Sequence, residues 1–112
     1  MITGCGVADG GKVTAKEVLN QNPKADILQY NGFIYNNMTH VEWFEQEKEK
    51  HIKHNLVGEI KKQSTSNFRF KDFSSSKLPV GTKIYSTNED ETGILIVEYE
   101  GNDLYYMQLL EG

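Results

Sequence analysis

The chain of 112 residues has little cysteine and little tryptophan, with one residue of each. The single Cys5 excludes an internal disulfide, so the fold depends on a hydrophobic core, which a chain of this length can supply. No apolar run approaches the roughly 18 to 20 residues that a membrane-spanning helix needs. Lys and Arg together number 12 against 16 Asp and Glu. The resulting net charge of −4 argues against nucleic acid as a partner, because a phosphate backbone requires a basic face.

The length allows one domain with one core, and a glycine-rich start is set apart from it. The stretch from Gly6 to Lys12 has no apolar periodicity, so we assign residues 1–12 to a flexible tether. Residues 13–112 alternate apolar runs with polar breaks, which is typical of one α+β domain. We expect five to seven strands in a mainly antiparallel or small barrel-like sheet, with two short helices.

Three apolar runs near the C-terminus predict a β-meander over residues 82–86, 94–99 and 104–110. The middle run contains Ile94-Leu95-Ile96-Val97, the longest aliphatic block in the chain. We expect it to form a central strand with a neighbour on each side. The segment 78–82 before the meander is predicted to be a turn, because Pro79 fixes its own φ and Gly81 accepts a positive φ.

Two capping boxes predict the two helices. Thr14-Ala-Lys-Glu17 places a hydroxyl and a carboxylate where they can bind free amide groups, and it predicts a helix over 14–20 that ends before Pro23. Thr39-His-Val-Glu42 repeats the pattern and predicts a helix over 39–50. The second half of that helix is almost entirely charged, so we expect it to lie on the surface and to fray.

Turn chemistry predicts a β-hairpin over residues 26–36. Its centre is Asn31-Gly32, the dipeptide that best tolerates positive φ at both central positions of a type I′ turn. Residues 56–60 are predicted to form a short strand, in which Gly58 indicates a bulge or a close approach of another group. The serines at 74–76 are predicted to form a loop.

Several groups of residues could carry chemistry, and each has a simpler interpretation. His51 and His54, with Glu47, could share a metal ion, but a solvated charged surface is the favoured interpretation. The acidic segment 88–93 lacks the alternating ligand spacing of a calcium loop and is interpreted as a solvated turn. A row of aromatic residues could line a ligand groove, although packing at the core or its rim is favoured: Phe68, Phe70 and Phe73. We therefore predict no metal, no cofactor and no catalytic residue.

The N-terminal residues predict lipidation at Cys5. Ile2-Thr3-Gly4-Cys5 resembles the lipobox of bacterial lipoproteins. In that family a signal peptidase cuts before the cysteine, and the thiol carries a diacylglycerol. The charged and hydrophobic parts of a signal peptide do not precede the motif, so we interpret Met1 as a start placed on a shortened precursor. The alternative is a natural cytosolic N-terminus with an incidental thiol.

The resemblance extends over most of residues 13–112. The segments KADILQYNGFIYNN, GEIKKQ and KLPVGTKIYSTNEDETGILIVEYEGNDLYYMQLLEG look like a family of small lipoproteins from Bacillus and its relatives. This resemblance implies a location, the outer face of a Gram-positive cell membrane, and no activity or cofactor. A looser similarity to bacterial SH3-like barrels lies in GTKIYS and VEYEGNDLYYMQLL. The paired Gly-Trp positions of that family are absent, since the single tryptophan is Trp43.

Three function classes follow from these observations. The favoured one is a non-catalytic binding module at the cell envelope, held to the membrane by its lipid and binding an envelope protein or a cell-wall ligand. Exposed aromatic side chains on a rigid sheet would suit that role, and some of six tyrosines could supply them: Tyr30, Tyr35, Tyr85, Tyr99, Tyr105 and Tyr106. The alternatives are a small hydrolase-like or metal-binding enzyme and a cytosolic protein-binding domain.

Overall fold

The structure is a computed structural model that describes residues 13–65, 70–87 and 93–109. It is mainly β-sheet with two short α-helices. Within the described residues, no helix combines the length and the apolar character needed to span a membrane. The tether, including Cys5, lies outside the described residues, as do Phe68 and the acidic segment 88–92.

The first helix and the hairpin form as their local patterns predict. Helix α1 (Ala15–Gln21) has Thr14 as its N-cap, and both hydrogen bonds of the capping box with Glu17 are present. Strands β1 (Ile27–Tyr30) and β2 (Phe33–Asn37) are joined by Asn31 and Gly32, whose φ values are 55° and 82°. Both local predictions are confirmed because the groups that satisfy each motif lie within it.

Six further strands complete the sheet. The middle ones are β3 (Lys53–Glu59), β4 (Lys62–Gln63) and β5 (Ser74–Ser75). The meander consists of β6 (Lys83–Thr87), β7 (Ile94–Tyr99) and β8 (Asn102–Gln108). Strand β7 is paired on both sides, with β6 and with β8, so the predicted central strand is confirmed.

The eight strands follow the order β3-β6-β7-β8-β2-β1-β5-β4. The two edge strands, β3 and β4, are consecutive in the chain and are separated only by Ile60 and Lys61. A flat sheet would hold its outermost strands about 34 Å apart, at roughly 4.8 Å per strand spacing. Three residue steps reach at most about 11 Å. The sheet therefore curls until its edges approach each other, as a small barrel-like sheet does.

The residues between the edge strands close the curl. The amide of Ile60 donates to the carbonyl of Thr82, just before β6, and the amide of Lys61 donates to the carbonyl of Phe73, just before β5. The side chain of Ile60 is fully buried. The link thus joins the two edges by backbone hydrogen bonds and by core packing.

Alternating side chains divide the core between the inner and the outer face of the curl. The inner cluster draws on nearly every part of the sheet: Leu28, Tyr35, Ile60, Leu78, Ile84, Leu95, Val97 and Tyr106. A second cluster joins Ile27 and Ile34, the neighbours of Leu28 and Tyr35, to Ala15 and Leu19 of α1. Helix α1 therefore covers the outer face of the hairpin.

The prediction for the second helix is wrong in length and in its cap. Helix α2 covers only Glu42–Glu45, and a 3-10 turn follows at Lys48–Lys50. The Thr39 hydroxyl does not cap it; it donates to Asn37 Oδ1 at 2.6 Å and accepts from the amide of Tyr105 at 2.9 Å. Tertiary hydrogen bonds have replaced the local ones, so Thr39 ties the helix entry to β8 instead.

The predicted loop at 74–76 is wrong for Ser74 and Ser75. Ser74 and Ser75 form β5, which pairs with β1 in antiparallel and with β4 in parallel orientation. The sheet is accordingly mixed, and its eight strands exceed the five to seven expected. All three serines are buried, and the hydroxyls of Ser75 and Ser76 donate to the carbonyls of Ile27 and Ala25. The backbone of residues 25–27 thus satisfies Ser75 and Ser76, and the Ser74 hydroxyl accepts from the amide of Lys71.

Two glycine predictions are confirmed. Gly58 has a φ of 156°, the pairing register between β3 and β6 shifts beside it, and a Cβ there would lie 2.5 Å from a ring carbon of Phe73. A bulge and a close approach therefore occur together. Gly81 has a φ of 97° and is the third residue of a turn in which the amide of Thr82 donates to the carbonyl of Pro79.

Candidate ligand-binding site

The best candidate site is a concavity of about 340 Å³ beside the turn of the β1–β2 hairpin, which we call the hairpin pocket. Five strands contribute to it: the first residues of β7 and the last of β6 and β8 line it beside the hairpin of β1 and β2. Its described lining is Tyr30, Asn31, Phe33, Tyr35, Ser86, Thr87, Gly93, Ile94, Leu95 and Gln108. The curl of the sheet produces this site, because it brings β6 and β7 toward β1 and β2.

Three aromatic rings form one wall of the hairpin pocket. Tyr30, Phe33 and Tyr35 share the inner face with Leu28, and all three pack against the inner cluster. The Tyr30 ring lies between Tyr35 and Phe73, with centroid separations of 6.3 Å and 5.9 Å. Contacts on both sides restrict the rotation of Tyr30, so a ligand would meet a preformed aromatic surface.

The hairpin turn itself is held in place from outside the pocket. The Asp72 carboxylate accepts hydrogen bonds from the Gly32 amide at 2.9 Å and from the Gln29 side chain at 3.0 Å. The amide of Phe73 donates in turn to the Gln29 carbonyl. These bonds fix the loop that carries Asn31 at the rim of the pocket.

Uncharged polar groups complete the lining. Within the part of the chain that the structure describes, the side-chain amides of Asn31 and Gln108 and the phenol groups of Tyr30 and Tyr35 form no hydrogen bond with the protein. Burial, followed by the neighbouring Tyr30, raises the pKa of Tyr35. Tyr35 is therefore a neutral hydroxyl at physiological pH, able both to donate and to accept.

A second surface lies beside α2. Trp43, Phe44, Glu47, His51, Ile94 and Met107 line a concavity of about 250 Å³. Trp43 is 56% exposed and meets the buried ring of Phe44 edge-on. The His51 ring stacks on the Phe44 ring with centroids 5.8 Å apart, and its Nδ1 is buried without a hydrogen-bond partner among the described residues. We call this the Trp43 surface.

A charged cluster lies on β3, β7 and β8. Lys53 Nζ forms ion pairs with Glu98 and, at 2.9 Å, with Asp103, and it lies 5.1 Å from the centre of the Tyr85 ring. Hydrogen bonds to Glu98 and Asp103 raise the pKa of Lys53 to about 12, and the hydrogen bond from Lys53 lowers the pKa of Glu98. Both carboxylates pair with the one ammonium group, so the cluster connects three strands and keeps a net charge of −1.

A buried polar network crosses the inside of the sheet. The Tyr106 hydroxyl donates to Asp26 Oδ1 at 2.7 Å, and the Asn37 side chain donates to Asp26 Oδ2 at 2.9 Å. Asn37 Oδ1 accepts from the amide and the hydroxyl of Thr39. Burial and the adjacent carboxylate of Asp26 raise the pKa of Tyr106 well above its usual range. Each member has a protein partner, so the network holds β1, β2 and β8 together.

The three histidines differ in their surroundings. His40 and His54 are exposed, whereas His51 lies against Phe44. Among residues 13–65, 70–87 and 93–109, no group of three or more His, Cys, Asp or Glu side chains could hold a metal ion. Of the aromatic row, Phe73 packs against the inner cluster and Phe70 against the outer one, in agreement with core or rim packing.

The tyrosines do not form the exposed face that was considered for binding. Tyr35 and Tyr106 are buried, and the other four are half-buried. Among residues 13–65, 70–87 and 93–109, the strongly exposed aromatic residue is Trp43, which lies within the segment predicted as the second helix. The sequence does contain a pattern that indicates the aromatic wall of the hairpin pocket. In a two-residue hairpin, Tyr30, Phe33 and Tyr35 lie at positions that share one face with Leu28.

Comparison with known protein families, with curated proteins and with solved structures finds no match for this chain.

Proposed function

We propose that the protein is a non-catalytic binding module at the cell envelope, with the hairpin pocket as its ligand site. The observation that carries this proposal is the lining of that pocket: three aromatic rings, two free side-chain amides and no charged side chain among the described residues. Recognition sites combine an apolar wall with a few polar groups that fix the orientation of the ligand. The hairpin pocket has that combination.

The chemistry of the described hydroxyl groups supports binding over catalysis. A serine nucleophile needs an adjacent base. The hydroxyls of Ser75 and Ser76 instead donate to backbone carbonyls, and Ser86 is hydrogen-bonded to the backbone of Asn55. In the hairpin pocket, the described titratable side chains are tyrosines.

We further propose that Cys5 anchors the module to the outer face of a Gram-positive cell membrane. The support is the order of residue types in Ile2-Thr3-Gly4-Cys5 and the glycine-rich stretch that follows. A flexible tether of this kind lets a domain reach wall or envelope ligands near the membrane.

The experiment has two arms. The precursor and its Cys5→Ala variant are produced in a Gram-positive host, and the membrane fraction is analysed by mass spectrometry. A diacylglycerol-sized mass on the membrane-bound protein, lost in the variant, is expected.

In the second arm, purified Cys5→Ala protein is incubated with purified cell wall and sedimented. An unlipidated protein in the cytosol overturns the location, and failure to bind any envelope material overturns the binding role.

A second candidate function is docking of an envelope protein, and the exposed Trp43 favours it. Tryptophan at the edge of an apolar depression is typical of interface hot spots. Trp43→Ala should abolish binding to the envelope in that case, whereas substitutions in the hairpin pocket should leave it unchanged. The hairpin-pocket role predicts the opposite pattern.

A further inference from the structure

We infer that the hairpin pocket binds a neutral saccharide of one or two rings. This inference rests on the proposed binding function and names the ligand class of the same site. It is drawn from four properties of the pocket: its charge, its aromatic wall, its free polar groups and its size.

The first property is the absence of charge from the described lining. All ten described lining residues are uncharged, and the burial that raises the pKa of Tyr35 keeps its phenol neutral. A charged ligand would lose hydration on entering such a site without gaining an ion pair. The described lining therefore offers no ion-pair partner to a charged ligand and suits a ligand without net charge.

The second property is the aromatic wall. Tyr30, Phe33 and Tyr35 combine large apolar area with rings whose faces are electronegative. The C–H faces of a sugar ring are apolar and slightly electropositive, so they complement an aromatic face. A purely polar ligand would leave this wall without a partner.

The third property is the set of polar groups around that wall. The side-chain amides of Asn31 and Gln108 each offer donors and an acceptor, and the phenols of Tyr30 and Tyr35 can do both. Sugar hydroxyls also donate and accept. Neighbouring hydroxyls can therefore pair with one amide through two hydrogen bonds, which a simple hydrocarbon ligand cannot do.

The fourth property is size. The volume of about 340 Å³ lies at the lower end of the range of roughly 300 to 1,000 Å³ for small-molecule sites. A monosaccharide or disaccharide suits it better than a long chain buried throughout. A longer glycan would place one or two of its rings in the pocket and leave the others in solvent.

The test uses the Cys5→Ala protein and records side-chain amide and backbone NMR signals during titration with di-N-acetylchitobiose, methyl β-glucoside and glucuronate. We expect the neutral sugars to shift the side-chain signals of Asn31 and Gln108, and glucuronate to bind more weakly. Isothermal titration calorimetry supplies the dissociation constants.

Two matched substitutions test the pocket itself. Gln108→Glu replaces an amide by a carboxylate of nearly the same shape and should raise the Kd for a neutral sugar about 2- to 10-fold. Gln46→Glu makes the same change at an exposed position at the end of α2 and should leave the Kd unchanged. Tyr30→Leu removes an aromatic face and should raise the Kd about tenfold or more. If Tyr30→Leu does not fold, Asn31→Asp keeps the turn and tests the rim instead.

Each other outcome overturns the inference in a distinct way. Equal affinity for glucuronate would exclude selection for neutral ligands. Sugar-induced shifts confined to Trp43 and His51 would exclude this pocket. Binding of an uncharged peptide, but of no sugar, at Asn31 and Gln108 would exclude the saccharide and leave the proposed binding function standing. If neither sugars nor purified cell wall bind, both proposals fail.

Discussion

Tyr106 is fully buried, and its hydroxyl donates a 2.7 Å hydrogen bond to the Asp26 carboxylate. Tyr106→Phe removes that donor, so Asp26 Oδ1 loses this hydrogen bond, while the Asn37 side chain still donates to Oδ2. A hydrogen bond to a charged group contributes about 1.5–3 kcal/mol. We therefore expect the free energy of unfolding to fall by about 2 kcal/mol at pH 7. In a domain of this size the melting temperature should fall by roughly 6–12 °C.

The same substitution should change the alkaline limb of the stability profile. The folded-state pKa of Tyr106 is raised, so its contribution is fully present below the unfolded pKa of about 10 and is lost as pH rises above it. One extra proton held by the folded state gives a slope of about −1.4 kcal/mol per pH unit. An advantage of about 2 kcal/mol would vanish near pH 11.5, where the two proteins should become equally stable.

Urea denaturation at pH 7, 10 and 11 measures both effects. Tyr105→Phe is the matched control, because its ring lies against Phe44 on the opposite face of β8; its stability should change by less than about 0.5 kcal/mol. A loss below about 0.5 kcal/mol for Tyr106→Phe at pH 7 would refute the reasoning. So would an alkaline slope as steep as that of the wild-type protein.

Three further predictions concern stability and titration. Gly58→Ala should lower the free energy of unfolding, measured by urea denaturation, by at least about 2 kcal/mol, because the new Cβ collides with the Phe73 ring. Gly101→Ala places its Cβ in open space and should lower that free energy by only about 1 kcal/mol. Ser76→Ala should lose about 2 kcal/mol, since the amide of Ile27 and the carbonyl of Ala25 both lose a partner; a change under 0.5 kcal/mol would contradict this. Lys53→Met should raise the pKa of Glu98 toward its ordinary value, as measured by NMR titration of the carboxylate. Because the pKa of Glu98 is lower in the folded state, its ionisation stabilises the fold above the unfolded-state pKa. This stabilisation is lost as pH falls through the folded-state pKa. The Lys53→Met variant should therefore lack this loss of stability in acid.

The parts of the fold that were predictable from sequence are those whose partners are close in the chain. Asn31 and Gly32 adopt positive φ values through their own backbone chemistry, and Thr14 and Glu17 cap each other across three residues. Neither motif needs the rest of the protein. The unbroken aliphatic run of β7 likewise indicated a strand that is buried on both faces and has two neighbours.

The errors occurred where a distant partner replaced a local one. Thr39 matched a capping box, but Asn37 and Tyr105 bind its hydroxyl, and Tyr105 is 66 residues away. Ser75 was predicted to lie in a loop, but it belongs to β5, and its hydroxyl donates to the carbonyl of Ile27, 48 residues earlier. Local composition contains no trace of such pairings.

The hairpin pocket shows the same limit. Its aromatic wall follows from side-chain alternation in the hairpin, and the positions of Leu28, Tyr30 and Tyr35 in the sequence are enough to predict it. The rest of its lining includes Ser86 and Gln108, which lie on strands whose position depends on the sheet order. A curled sheet with β3 and β4 at its two edges could not be inferred from periodicity, because periodicity does not report strand order.

The link of Ile60 and Lys61 also bears on self-association. An open sheet presents two rows of unpaired amides and carbonyls, and each row can recruit a strand from another molecule into a growing aggregate. Here Ile60 extends the pairing of β3 with its neighbour β6 by bonding to Thr82 and Gly81, and Lys61 bonds to Phe73 just before β5, so the two edge strands run directly into each other. The irregular register around Gly58 further prevents a flat strand from docking on β3. Because β4 is two residues long and β3 is bulged at Gly58, neither edge is a long flat row on which strands could polymerise.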